Sequence, residues 1–213
     1  MKTKKFSFDF LTYSLWGGFA LTLFSGIFLL VHYVPAFAQA FSSLQRVNEQ
    51  IPFGWMVRRI HAVGGGFLLL LFLLHLLRVF TVGEYKNRPG SLWVFEVLLV
   101  FAALWANFTG SFLPLSQEAF WGTASTLSAL STIPWIGNTL VEFIRGGREL
   151  GGAALSRFFS MHLGIAALIA LLLFSHDRVA PCRGEEAQEG QSPRNLWVFG
   201  LVALLLFAVV TFK

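Results

Sequence analysis

Four histidines carry the chemistry that this sequence can perform, and their spacing says what kind. His61 and His75 lie fourteen residues apart, and His162 and His176 lie fourteen apart again. In an α-helix, fourteen residues at about 100° each come within about 40° of a whole number of turns, so both imidazoles leave nearly one face, about 21 Å apart along the axis. Two such helices running parallel would set His61 level with His162 and His75 level with His176. Each facing pair could then clamp one haem iron from both sides inside a helix bundle. A bare zinc or similar ion would need more donors, and no Cys or carboxylate stands at ligand spacing from these histidines along the chain. A lone membrane histidine can also simply hydrogen-bond a neighbouring helix, but two equal spacings argue against that for all four. His32 has no partner fourteen residues away and is expected to be a non-ligand.

The elements that must position these residues are membrane helices. Of 213 residues, 55% are hydrophobic and 13% charged, where a soluble domain carries about 25% charged residues. The apolar residues fall in blocks long enough to cross a bilayer. Spans are expected over 10–33, closed by Pro35, then 55–80, 92–112 and 155–176. A polar loop is expected over 39–52, and surface helices over the amphipathic stretch 114–152. The fold class is therefore all-α integral membrane: residues 1–178 form a four-helix transmembrane haem-binding bundle, 179–195 a polar linker and 196–212 a fifth transmembrane helix. The basic N-terminus resembles a signal peptide's, but no small-residue cleavage site follows, so the first span is read as retained. If successive spans alternate in direction, the second and fourth run parallel, as the histidines require.

Charge and cysteine content narrow the function. Nine Lys or Arg fall on the N-terminal side of the membrane and seven on the other, which by the positive-inside rule sets the N-terminus in the cytoplasm. The net charge of +5 is matched by the lipid bilayer's headgroups and haem propionates rather than by nucleic acid. The single Cys182 excludes an internal disulfide, a haem-attachment CxxCH and a cysteine-held iron–sulfur cluster.

The chain also resembles a known family. The matching residues include His32-Tyr33-Val34-Pro35, Phe53-Gly54-Trp55-Met56-Val57-Arg58 leading to His61, and His75-Leu76-Leu77-Arg78. They continue through Phe108-Thr109-Gly110, Leu113-Pro114, Ile133-Pro134-Trp135-Ile136-Gly137 and Arg157-Phe158-Phe159-Ser160-Met161-His162. Together these resemble the N-terminal, cytochrome b6-like half of the cytochrome b family of bc-type complexes. The resemblance implies two non-covalent b haems. His61 with His162 would hold the low-potential haem near the outer face, and His75 with His176 the high-potential haem near the inner face. It further implies that Arg58 and Arg78 meet haem propionates and that Gly26 and Gly110 let the outer haem edge approach. Gly137 and Pro134 would belong to an outer quinone site. No covalent haem c is implied, because neither Phe10 nor Leu15 can supply the attaching cysteine.

Departures from the family sharpen the expectations. Where the family has a second pair of glycines beside the inner haem, this chain has Thr12 and Glu96, either as inner quinone-site residues or, for Glu96, as a glutamate snorkelling at a helix start. Ser111 and Leu115 replace a tyrosine and a tryptophan on the wall of the outer quinol site. The Pro-Glu-Trp-Tyr segment of the family's other half has no counterpart in the sequence. The resemblance thus implies a di-haem subunit carrying electrons between quinone sites near the two faces of a bacterial cytoplasmic membrane. Its implied partners are a second membrane subunit bearing the C-terminal half, a Rieske iron–sulfur protein and a c-type cytochrome, in a complex that is a homodimer. Two alternatives stand beside it: a non-bifurcating quinone-linked complex with a multihaem cytochrome partner, and a non-redox membrane anchor or assembly module.

Overall fold

A computed structural model describes residues 2–83, 86 and 90–179. Seven helices are found among the described residues: α1 (Lys2–His32), α2 (Ala40–Gln50), α3 (Gly54–Val82), α4 (Gly90–Phe112), α5 (Gln117–Ser131), α6 (Gly137–Arg145) and α7 (Gly152–Val179). The expected linker 179–195 lies outside the described residues except for Val179. The expected fifth span, 196–212, lies wholly outside them, as does Cys182.

Among the described residues, four segments are long and apolar enough to cross a membrane: Leu11–His32, Gly54–Val82, Leu92–Phe112 and Gly152–His176. They agree with the expected spans to within a few residues at each end. Their apolar runs form helices because a chain in hydrocarbon must satisfy every backbone N–H and C=O internally, which a helix does by itself. Their outer faces keep Phe24, Phe101 and Leu171 at 71%, 64% and 61% exposure, a placement suited to lipid rather than water. The chain is an integral membrane protein.

In the bundle, α1 packs on α3, α4 on α7, and α3 on α4. The central core takes one set of side chains from each helix: Leu15 and Phe19 of α1, Leu68 and Phe72 of α3, Ala102 and Ala103 of α4, and Leu172 and Leu173 of α7. The two alanines let α4 approach its neighbours closely. Along the chain, every member of this core falls between the two histidine levels, so an apolar plug separates them.

The short helices cap one end. Helices α5 and α6 fall within the stretch expected to hold surface helices. Ser116 opens α5 by accepting a hydrogen bond from the Ala119 N–H at 3.2 Å. Leu127, Val141 and Ile144 from this pair pack with Phe112 and Phe158 in a second core. The Tyr33 hydroxyl donates to the Leu113 carbonyl at 2.7 Å, tying the chain just past α1 to the chain just past α4. One expectation is corrected here. Residues 39–52 are not a loop, because α2 occupies most of them and buries Ala40, Ser43, Leu44 and Val47. Those positions recur at helical spacing, one narrow apolar stripe on an otherwise polar segment.

Candidate haem and metal layers

The four histidines meet in two layers. The rings of His61 and His162 lie with centroids 6.0 Å apart at 79° to one another. Those of His75 and His176 repeat the arrangement at 6.0 Å and 80°. Helices α3 and α7 therefore run in the same direction, and the fourteen-residue spacing is in register between them.

The His61–His162 layer is built symmetrically by the flanking helices. On α1, the Thr22 carbonyl accepts from His61 Nδ1 at 2.9 Å, and Ser25 Oγ lies 3.4 Å from the same nitrogen. On α4, the Ala106 carbonyl accepts from His162 Nδ1 at 3.0 Å, with Thr109 Oγ1 at 3.2 Å. A carbonyl can only accept, so Nδ1 carries the proton in both rings and Nε2 keeps its lone pair, the form in which imidazole binds a metal. Gly26 follows Ser25 and Gly110 follows Thr109, and each lies against the ring its helix supports. A Cβ on Gly26 would stand 2.8 Å from His61 Cε1, and one on Gly110 would stand 2.8 Å from His162 Cε1. Only a residue without a Cβ allows this approach.

This layer fits haem iron. Two metal–nitrogen bonds of about 2 Å in line, plus the half-widths of two imidazoles, come to about 6 Å between centroids. Both ligand nitrogens are in the right protonation state, and the two glycines put no Cβ against the rings. The signal for Ser25 and Thr109 was the hydroxyl–glycine pair that occurs once on each flanking helix, which the spacing of histidines alone does not reveal.

The His75–His176 layer differs. Glu96 of α4, only 3% exposed, sets Oε1 3.4 Å from Nε2 of both histidines. One donor atom from each of the three side chains lies within 4.8 Å of the other two. The expectation that no carboxylate stands at ligand distance is corrected for this layer. Spacing along the chain cannot show it, because Glu96 arrives from a different helix. An oxygen equidistant from two axial nitrogens lies in the plane midway between them, the plane a porphyrin would occupy. Its distance from the midpoint is less than 3.4 Å, inside the radius of the macrocycle. With Glu96 so placed, this layer does not fit a haem.

Arg58, one turn before His61, borders a cavity of about 460 Å³ with Asn48, Trp55, Arg59 and Ala62. Arg78 is half-buried one turn beyond His75. Thr12 and Glu96 border an internal space of about 20 Å³, too small for a quinone ring by comparison with ligand pockets of about 300 Å³ or more. Pro134 is exposed between α5 and α6. Gly137 is buried against the end of α5, where a Cβ would meet the Ser131 carbonyl oxygen at 2.6 Å, so the turn itself requires glycine there. His32 stands apart from both layers, its Nδ1 donating to the Phe28 carbonyl at 2.9 Å.

Among the described residues, four apolar helices bearing two histidine layers define a membrane helical bundle. Residues 5–179 match the family described as cytochrome b/b6/petB, and the chain belongs to the cytochrome b family. It is 36% identical over 156 residues to cytochrome b of Schizosaccharomyces japonicus, a match covering 73% of this chain and 40% of that protein. It is 35% identical over 172 residues to cytochrome b of Spizellomyces punctatus, covering 81% and 43%. With cytochrome b/c1 of Bradyrhizobium diazoefficiens the figures are 30% over 175 residues, covering 82% and 26%. The chain thus spans less than half the length of these relatives. A solved structure described as hyperthermophilic respiratory Complex III shares the fold, with a TM-score of 0.80 and 24% identity over 96% of this chain and 59% of that one.

Proposed function

We propose that the chain is a b-type cytochrome subunit of a bc-type, quinol-oxidising membrane complex. In this reading the His61–His162 layer holds a haem b near the outer face, and the His75–His176 layer is a second ligand station, near the inner face. The observation that carries it is the His61–His162 pair: two imidazoles 6.0 Å apart, each with Nδ1 tied to a backbone carbonyl and each flanked by a glycine.

Haem b supplies the one-electron redox change when bound. The protein's own residues do the rest. His61 and His162 would hold the haem, with Thr22, Ser25, Ala106 and Thr109 orienting the two rings. Arg58 would neutralise propionates by charge-assisted hydrogen bonds in a low dielectric. The apolar plug between the layers excludes water from the space that separates them. Pro134, on the surface formed by α5 and α6, would border the outer quinone site. The partners this reading implies are a membrane subunit bearing the family's other half, a Rieske iron–sulfur protein and a c-type cytochrome, assembled as a homodimer in a bacterial cytoplasmic membrane with the N-terminus inside.

Ser111 favours a second reading, in which the outer site does not bifurcate electrons and the partner is a multihaem cytochrome. Its hydroxyl donates to the Phe108 carbonyl of its own helix at 2.8 Å and so commits its proton within α4. Co-purification separates the two: a Rieske protein supports the bc-type complex, and a multihaem cytochrome without one supports the alternative. The main reading is tested by the reduced-minus-oxidised optical spectrum of the purified chain. A b-type band is expected, and its absence would leave the non-redox membrane anchor as the better description.

A further inference from the structure

The two layers are related by fourteen residues along every helix of the bundle. Gly26, His61, Gly110 and His162 form the first, and the positions displaced by fourteen are Thr12, His75, Glu96 and His176. The histidines are repeated and the glycines are not. Both positions that lack a side chain in the first layer carry one in the second, and what those two side chains offer is oxygen.

We propose that the His75–His176 layer binds a single divalent first-row transition-metal ion through His75 Nε2, His176 Nε2 and Glu96 Oε1, in place of a second haem. This rests on the reading of the chain as a b-type cytochrome subunit, because it concerns that subunit's second station. Three observations carry it. Glu96 Oε1 stands 3.4 Å from each Nε2, which is the separation of two donors at a tetrahedral angle about an ion with bonds of about 2.1 Å. The space bordered by Thr12, His75, Glu96 and His176 is about 20 Å³, enough for one ion or water. Glu96 Oε2 and Thr12 Oγ1 are both buried without a hydrogen-bond partner among the described residues, so further oxygen donors adjoin the same point.

The chemistry of the donors agrees. Two imidazoles and a carboxylate suit zinc, iron and manganese, and this set recurs where iron(II) is held without a porphyrin. A carboxylate buried among apolar helices needs a countercharge, and a divalent cation between Glu96 and the two imidazoles provides it. The His61–His162 layer has no such group, because glycine occupies both equivalent positions. One bundle would then hold a haem at one depth and a bare ion at the other.

The test is stoichiometry on the protein purified from membranes with its native partners. Haem per chain is read from the pyridine haemochrome, and zinc, non-haem iron and manganese from elemental analysis. Expected are one haem b and one divalent ion per chain. In Glu96→Gln the bound ion should fall at least tenfold while the b-type band keeps its full intensity, which also shows that the variant folds. In the double variant Thr12→Gly/Glu96→Gly, which copies the first layer's pattern, haem should rise towards two per chain. Two haems per wild-type chain would overturn the proposal. So would one haem with no ion, or an ion retained undiminished in Glu96→Gln. A chain with no b-type band at all would instead overturn the function proposed above.

Discussion

At the scale of single residues, the His61–His162 layer combines backbone carbonyl contacts and glycine approaches with the Ser25 and Thr109 hydroxyls. Each ring is held at Nδ1 by a carbonyl and approached at Cε1 by a glycine. Gly110→Ala would set a methyl 2.8 Å from His162 Cε1 while Ala106 O still holds Nδ1 at 3.0 Å. Both cannot be kept, so the ring must swing. The expected result is loss of more than half the b-type band and a stability cost of about 1–3 kcal/mol, as for an overpacked core. Thr109→Val should do far less, because the carbonyl bond survives and only the hydroxyl contact is removed, at about 1 kcal/mol. Optical spectra and thermal unfolding of the two variants read this contrast; equal damage from both would show that the hydroxyl, not the close approach, sets the ring. The histidine pattern was legible in the sequence because its period lies within single helices. Glu96 was legible as a departure from the family but not as a neighbour of both histidines. That contact depends on the relative register of α3, α4 and α7, which no spacing along one helix records.

At the scale of elements, the long helices were the easy part. Blocks of Leu, Phe and Ala long enough to cross a bilayer have one stable solution there, and the observed ends differ from the expected ones by only a few residues. Helix α2 was hidden because most of its residues are polar, and its apolar stripe consists of little more than Ala40, Leu44 and Val47. That stripe docks α2 against the bundle, and Leu44 joins Phe112 and Phe158 in the second core. Leu44→Ala should cost about 2 kcal/mol or more, the usual range for emptying a packed leucine site. Thermal unfolding followed by circular dichroism measures it, and an unchanged midpoint would mean that α2 only rests on the surface. The effect on the histidine layers should be small, since the apolar plug between them draws on α1, α3, α4 and α7 alone.

At the scale of the whole molecule, the parallel course of α3 and α7 converts one fourteen-residue spacing into two stations about 21 Å apart, separated by a packed apolar plug. This geometry holds whatever occupies the second station, and it makes the pairing of ligands across helices the central claim. The most direct test is reduced-minus-oxidised spectroscopy of membranes carrying His61→Ala, His162→Ala and the double variant. Each single substitution should remove the same b-type component, and the double variant should remove no more than either alone, because in the proposed reading the two imidazoles serve one iron. A full wild-type band in either single variant, or different components lost in the two, would contradict the pairing of His61 with His162.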